Sequence, residues 1–221
     1  MRERFERELK VLAEEILKMG LMVERALGKA MNALKSADTD AADSIVAADR
    51  DIDEMEARIE GLCAMIIARE QPVAGDLRDV LTAQKISSEL ERMGDHARSL
   101  AKRTGKLGIG ELAIAMPFFD SMLDRILTMN RQTLEAFTDH DPSKALDAAG
   151  LDHAVDRIHD DLYERLMDSL KTGEGNPETV VPLLFLNRFL ERLGDRVTNM
   201  CEWIYYAGTG ERMEMNTHNR L

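Results

Sequence analysis

What this sequence has little of already narrows its class. Only two cysteines occur, Cys63 and Cys201, far apart and in no CxxC pair. Neither a disulfide framework nor a zinc knuckle is expected, and a reducing, cytoplasmic setting fits. Aromatic residues make up 5% of the chain and prolines number five; with Ala, Leu, Met, Glu and Arg dominant, helix is the expected element. No stretch approaches the ~18 uninterrupted apolar residues of a membrane span. The opening Met1-Arg2-Glu3-Arg4-Phe5-Glu6-Arg7 has no apolar targeting core, so the chain is expected to be neither exported nor membrane-spanning. Basic residues are also short, 29 against 41 acidic, for a net charge of −12. That balance repels phosphate backbones and anionic headgroups, so no nucleic acid or membrane surface is an expected partner. Cations or basic protein surfaces are. Enzyme signatures are missing as well: there is no P-loop, no GxSxG, no GxGxxG opening a helix after a strand, and no Glu-x-x-His pair of the di-iron kind.

What is present is a helical stripe that repeats. Phe5, Leu9, Leu12, Ile16, Met19, Val23, Ala26 and Ala30 step by four and three, predicting a helix to about Ser36. Asp38-Thr39-Asp40 supplies a turn and an N-cap. A second stripe, Ile45 to Ile66, ends near Glu70-Gln71 because Pro72 forces the preceding residue out of helical geometry. A third runs from about Val73 to Thr104 and stops at the glycine-rich linker Gly105 to Gly110. The second half repeats the order: Leu112 to Thr138, then a helix carrying Ala148, Leu151, Val155, Ile158 and Leu162, then one holding Leu186 to Ile204 and ending at Gly208. Residues 206 to 221 lose the stripe and are expected to fray. The halves superpose with a shift of 103 in their second helices and 100 in their third. The expectation is therefore an all-α chain of six helices in two tandem three-helix bundles, residues 1–107 and 108–221, related by duplication. Methionines on the stripes read as core filler, and Trp203 as a buried anchor.

The duplicated stretch carries chemistry. Glu91-Arg92-Met93-Gly94-Asp95 returns as Glu191-Arg192-Leu193-Gly194-Asp195, and each Glu and Asp, four apart, share one helix face. Taking Leu90 and Leu190 as heptad a positions places Glu91 and Glu191 at b and Asp95 and Asp195 at f, facing outward. On the preceding helices Asp49 with Asp53, and Asp152 with Asp156, form a second duplicated pair of the same spacing. Counting from each hairpin, the first-repeat pairs lie about 20 and 21 residues away and the second-repeat pairs about 20 and 18. At ~1.5 Å per residue they are level. Four carboxylates are thus expected to converge on the outer surface of each bundle, a hard-oxygen set suited to Mg, Mn or Fe, or to zinc. The alternative is a solvated acidic face compensated by Arg92 and Arg192. Pairs such as Glu56/Glu60 show the same spacing elsewhere. His96 and His159 read as exposed histidines rather than ligands, and Gly94 and Gly194 as points of close helix packing.

These motifs resemble a known family. The two Glu-Arg-x-Gly-Asp segments, Met19-Gly20-Leu21-Met22-Val23-Glu24, Arg69-Glu70-Gln71-Pro72-Val73-Ala74-Gly75-Asp76-Leu77-Arg78 and Asn199-Met200-Cys201-Glu202-Trp203-Ile204-Tyr205-Tyr206 are similar to PhoU proteins, the phosphate-specific transport system accessory family. The resemblance covers nearly the whole chain in order. It implies a cytoplasmic, non-enzymatic, often dimeric helical regulator that acts between the phosphate ABC transporter and the sensor histidine kinase of the phosphate regulon. In this role it restrains uptake and the starvation response when phosphate is ample. It further implies metal binding, Fe, Zn, Mn or Mg, through Glu91 with Asp95 and Glu191 with Asp195, joined by Asp49 with Asp53 and Asp152 with Asp156. The second site is expected to differ from the first, since Arg196 and Asn199 alter the surroundings that His96, Arg98 and Ser99 give the first. The rival expectation is a structural or interaction bundle without functional metal.

Overall fold

The structure, a computed structural model, describes residues 2–106 and 109–216. The expected boundary between residues 107 and 108 and the tail from 217 to 221 lie outside the described residues. The order is α1 (Arg2–Ser36), α2 (Thr39–Glu70), α3 (Ala74–Ala101), α4 (Ile109–Thr138), α5 (Pro142–Gly150), α6 (Asp152–Thr172) and α7 (Pro177–Thr209).

Each break has a local cause. Asp38 caps α2 by accepting a hydrogen bond from the Ala41 N–H at 2.9 Å. Gln71 closes α2 in the left-handed region at φ 49°, its N–H returned to the Ile67 carbonyl, so that Pro72 can follow. Asp141 caps α5 from the Ser143 and Lys144 amides, with Pro142 in the first turn where it gives up no helical hydrogen bond. The expected fifth helix is one rod with an interruption at Leu151, beside Gly150. There the hydrogen bonds tighten to the three-residue pattern, Leu151 N–H to Ala148 and Ala154 N–H to Leu151.

α1, α2 and α3 pack on one another, as do α4, the α5–α6 rod and α7. Their inward stripes, Leu12, Ile16, Met19, Ile59, Ile86, Leu90 and Met93 in the first half and Phe119, Met122, Leu186, Leu190 and Leu193 in the second, are fully buried. This is the expected all-α architecture of tandem three-helix bundles. Both cysteines are buried thiols, and burial pushes Cys63 up to about 11 and Cys201 up to about 12. At neutral pH they are inert protonated core side chains.

The bundles are joined along two seams, α1 on α4 and α3 on α7. At the first, Glu24 accepts from Asn130 Nδ2 at 3.2 Å and Arg131 Nε at 3.0 Å, and Gly20 lies against Leu134. At the second, Thr82 donates to the Trp203 carbonyl at 3.2 Å, Arg196 pairs with Glu89 at 3.3 Å, and the His96 and Phe189 rings meet at 4.1 Å. These pairs advance by one heptad along α3 while receding by one along α7, so the helices run antiparallel. Because α3 packs both within its bundle and across this seam, two stripes rather than one are buried on it. Thr82, Ser87, Glu89 and His96 therefore join the core.

Two expectations change. Trp203 is half-buried rather than an anchor, its ring lying between the Lys85 ammonium at 5.4 Å and the Arg212 guanidinium at 5.0 Å. The segment after 206 does not fray at once: α7 continues to Thr209, and Gly210 turns at φ 79°. The chain then folds back along α7, with the Met215 N–H donating to Glu202 at 2.8 Å and Asn216 reaching the Asp195 carbonyl at 3.4 Å. Hydrogen bonds to side chains hold it where the apolar stripe has ended.

Leu134→Ala at the α1–α4 seam should lower unfolding stability by about 2–5 kcal/mol in urea titrations, since a buried leucine is removed next to a glycine that cannot refill the space.

Candidate metal centre

Two glycines set the geometry. A Cβ at Gly94 would lie 3.0 Å from Ile52 Cδ1, and one at Gly194 would lie 2.4 Å from Asp152 Oδ1. Each glycine thus lets its helix close on the preceding one, which brings Asp49 and Asp53 alongside Glu91 and Asp95, and Asp152 and Asp156 alongside Glu191 and Asp195. The level arrangement reckoned from helix rise is what these crossings produce.

In the first cluster Asp49 is only 6% exposed. Burial raises its protonation range, Arg98 opposes that shift, and Asp53 and Asp95 add to it. Arg98 bridges the helices, donating from Nη1 to Asp49 at 2.7 Å and from Nη2 to Asp95 at 2.5 Å. Glu91 is pushed up to about 7 by burial, then by Asp95, Glu56 and Asp53. Glu56 is a member the sequence reading set aside. Its spacing to Glu60 looked incidental, but one turn after Asp53 it enters the same field.

The second cluster is tighter. Asp152, 8% exposed, is pushed up to about 7 by burial, then by Asp156 and Asp195, with Glu191 adding. Thr198 donates to its Oδ2 at 3.3 Å. Its Oδ1 fills the space a Cβ at Gly194 would take and is buried without a hydrogen-bond partner. Glu191, 2% exposed, accepts from Arg188 at 2.6 Å.

The acids therefore lie near one another at each crossing, without the convergence expected of a ligand set and not on an outer surface. Asp49, Asp152 and Glu191 are buried, Glu91, Asp95, Asp156 and Asp195 half-buried, and Asp53 alone is exposed. The heptad reading assumed one buried stripe per helix, whereas the glycine crossings turn the flanking positions into the walls of a groove. The compensating arginines are also different ones: Arg98 and Arg188 serve the clusters, while Arg92 pairs with Glu89 at 3.3 Å. His96 is not an exposed histidine but a buried ring. Desolvation, then Arg196 and Arg192, push it down to about 4, so it stays neutral against Phe189. His159 is half-buried, with Nδ1 3.0 Å from Asp160.

Among the described residues no three acidic, histidine or cysteine side chains stand converged as an ion would need. The chemistry of the set, as distinct from its geometry, is nonetheless that of hard-cation donors. It is all hard oxygen, mutually repelling, partly desolvated, and includes one buried carboxylate oxygen with no donor. Asp152 carries a pH signature. Its folded value, about 7, exceeds the 3.8 of an ordinary aspartate, so the folded state holds the extra proton. That advantage is complete below 3.8 and lost as pH rises toward 7. Metal-free protein should melt lower at pH 8 than at pH 5, and Asp152→Asn should flatten that slope in thermal scans.

Comparison with known proteins agrees with this architecture. The family model described as PhoU domain matches residues 16–104 and 119–204. A Zymomonas mobilis protein named phosphate-specific transport system accessory protein PhoU homolog is 36% identical, over 98% of this chain and 91% of its own. The Escherichia coli phosphate-specific transport system accessory protein PhoU is 31% identical, over 94% and 86%. The crystal structure of the phosphate transport system regulatory protein PhoU from Streptococcus pneumoniae superposes with a TM-score of 0.87 at 32% identity, covering 95% of this chain and 99% of its own. That of PhoU from Pseudomonas aeruginosa gives 0.82 at 30%, covering 94% and 100%. With its fold, the domain matched twice and nearly its full length shared, this chain belongs to the PhoU family.

Proposed function

We propose that this protein is a cytoplasmic, non-enzymatic negative regulator of phosphate uptake and of the phosphate-starvation response. On this reading it docks between the ATPase of the phosphate ABC transporter and the regulon's sensor histidine kinase, as a homodimer. Residues 1–107 and 108–221 are its two structural units. The relatives' names place them in phosphate-specific transport, and no described helix is long and apolar enough to cross a membrane.

The observation that carries the metal part of the reading is the paired desolvation of like charges at two duplicated helix crossings. Asp49, Asp53, Glu91 and Asp95 would hold one ion or group of ions, and Asp152, Asp156, Glu191 and Asp195 the other, with Fe, Zn, Mn and Mg all compatible with oxygen donors. A bound cation supplies positive charge. The chain's own residues do the rest: Gly94 and Gly194 fix the spacing of the carboxylates, and the surrounding rods keep the neutralised faces rigid for a partner. Arg98 favours the rival reading at the first cluster, where a guanidinium already does part of what an ion would do.

Metal analysis of purified protein should find bound metal. Glu91→Ala/Asp95→Ala/Glu191→Ala/Asp195→Ala protein should lose most of it while keeping its helical circular dichroism, and unchanged stoichiometry would end the metal reading. For the regulatory part, deletion of the gene should leave phosphate-regulon transcripts high in phosphate-rich medium; normal repression there would overturn the role.

A further inference from the structure

A net charge of −12 points to basic partners, but one strip along the α3–α7 seam reverses it. Spaced by three, four or seven, the seam positions of α3 hold Lys85, Glu89, Arg92, His96 and Arg103, and those of α7 hold Phe185, Phe189, Arg192, Arg196 and Trp203. Contacts across the seam keep these side chains together. Glu89 lies between Arg92 of its own helix and Arg196 of α7, each at 3.3 Å. Phe189 has the His96 ring at 4.1 Å and the Arg103 guanidinium at 5.3 Å, and the Lys85 ammonium stands 5.4 Å over Trp203. Five cations, Lys85, Arg92, Arg103, Arg192 and Arg196, thus share the strip with one acid, Glu89, in a chain whose acids outnumber its bases 41 to 29. Of the acids that border it, Asp95 is engaged by Arg98 and Glu202 accepts the Met215 N–H. Arg92 and Arg192 are exposed, and Phe185, one turn before Phe189, is 66% exposed.

We propose that this strip is a docking surface for an extended acidic segment of a partner protein, one that also carries an apolar side chain for Phe185. Charge complementarity selects the occupant. The surplus of acids elsewhere on the chain repels a polyanion, while guanidinium forks on the strip take carboxylates through two hydrogen bonds at once. Length selects a segment over a lone ion: Lys85 to Arg103 is eighteen residues, ~27 Å of helix, so the cations form a line that no single anion spans. Glu89 holds Arg92 and Arg196 side by side and neutralises one charge of the two. The inference requires neither bound metal nor the regulatory role, and it stands if either of those readings fails.

The probe is a glutamate-rich peptide of about eight residues with one central phenylalanine, which when extended follows ~27 Å. It is titrated into full-length protein at low salt. Trp203, the sole tryptophan, reports binding through its fluorescence. Wild type should bind saturably, and more weakly as salt rises. Arg92→Gln/Arg192→Gln should weaken binding by at least about tenfold, and Arg92→Lys/Arg192→Lys, which keeps the charge, should recover most of it. Arg50→Gln/Arg58→Gln, which removes two exposed cations from α2, should change nothing. Absence of saturable binding by wild type, or equal losses from the two glutamine pairs, would overturn the proposal. So would tighter binding of an oligothymidylate at this strip, which would assign it to a nucleic acid. Salt-sensitive self-association in sedimentation that Arg92→Gln/Arg192→Gln abolishes would likewise overturn it, in favour of a second copy of this chain.

Discussion

Close helix approach at a glycine is the constraint from which the rest of this structure follows. A side chain at Gly94 or Gly194 would meet Ile52 or Asp152, and removing it lets two long rods cross tightly enough for carboxylates on both to share one groove. Glycine inside a helix costs ~1 kcal/mol against alanine. The crossing recovers that cost through burial, and it creates a second one by pressing acids together. Arg98 and Arg188 offset part of the charge, and burial and crowding push Glu91 and Asp152 up to about 7.

Much of this was legible in the sequence because its signals were periodic and repeated. Helix ends followed from Asp38, whose carboxylate caps α2, and from Pro72, which constrains the residue before it. The level carboxylate pairs followed from rise per residue alone. What could not be read was anything set by the second neighbour of a helix. A heptad assignment gives α3 one buried stripe, but α7 lies on its other side, and so His96 is buried where the sequence suggests exposure. The interruption at Leu151 and the return of the chain at Met215 depend on individual hydrogen bonds with no periodic trace. Which arginine compensates which acid was equally hidden. Arg92 and Arg98 lie six apart on one helix, and only the crossing point decides that the second reaches Asp49.

The duplication is also informative where it has drifted. Carboxylates, glycines and the Arg92/Arg192 position persist in both copies, while two other cations do not: Arg98 faces Thr198 in the alignment of the halves, and Ser88 faces Arg188. Two carboxylate clusters of common origin thus have different neighbours at the matching positions.

The antiparallel seam between α3 and α7 has a consequence for assembly. Its contacts pair the position of residue 89 with that of residue 96 in the other half, once as Glu89 with Arg196 and once as Phe189 with His96. Since the halves are copies, either could in principle adhere to its own twin along this line. A first half facing itself, however, would set each buried Glu89 against the His96 ring in place of the Arg196 guanidinium, leaving it only Arg92 of its own helix. Divergence at two positions thus gives the seam between unlike halves an ion pair and a ring contact that a seam between like halves would lack.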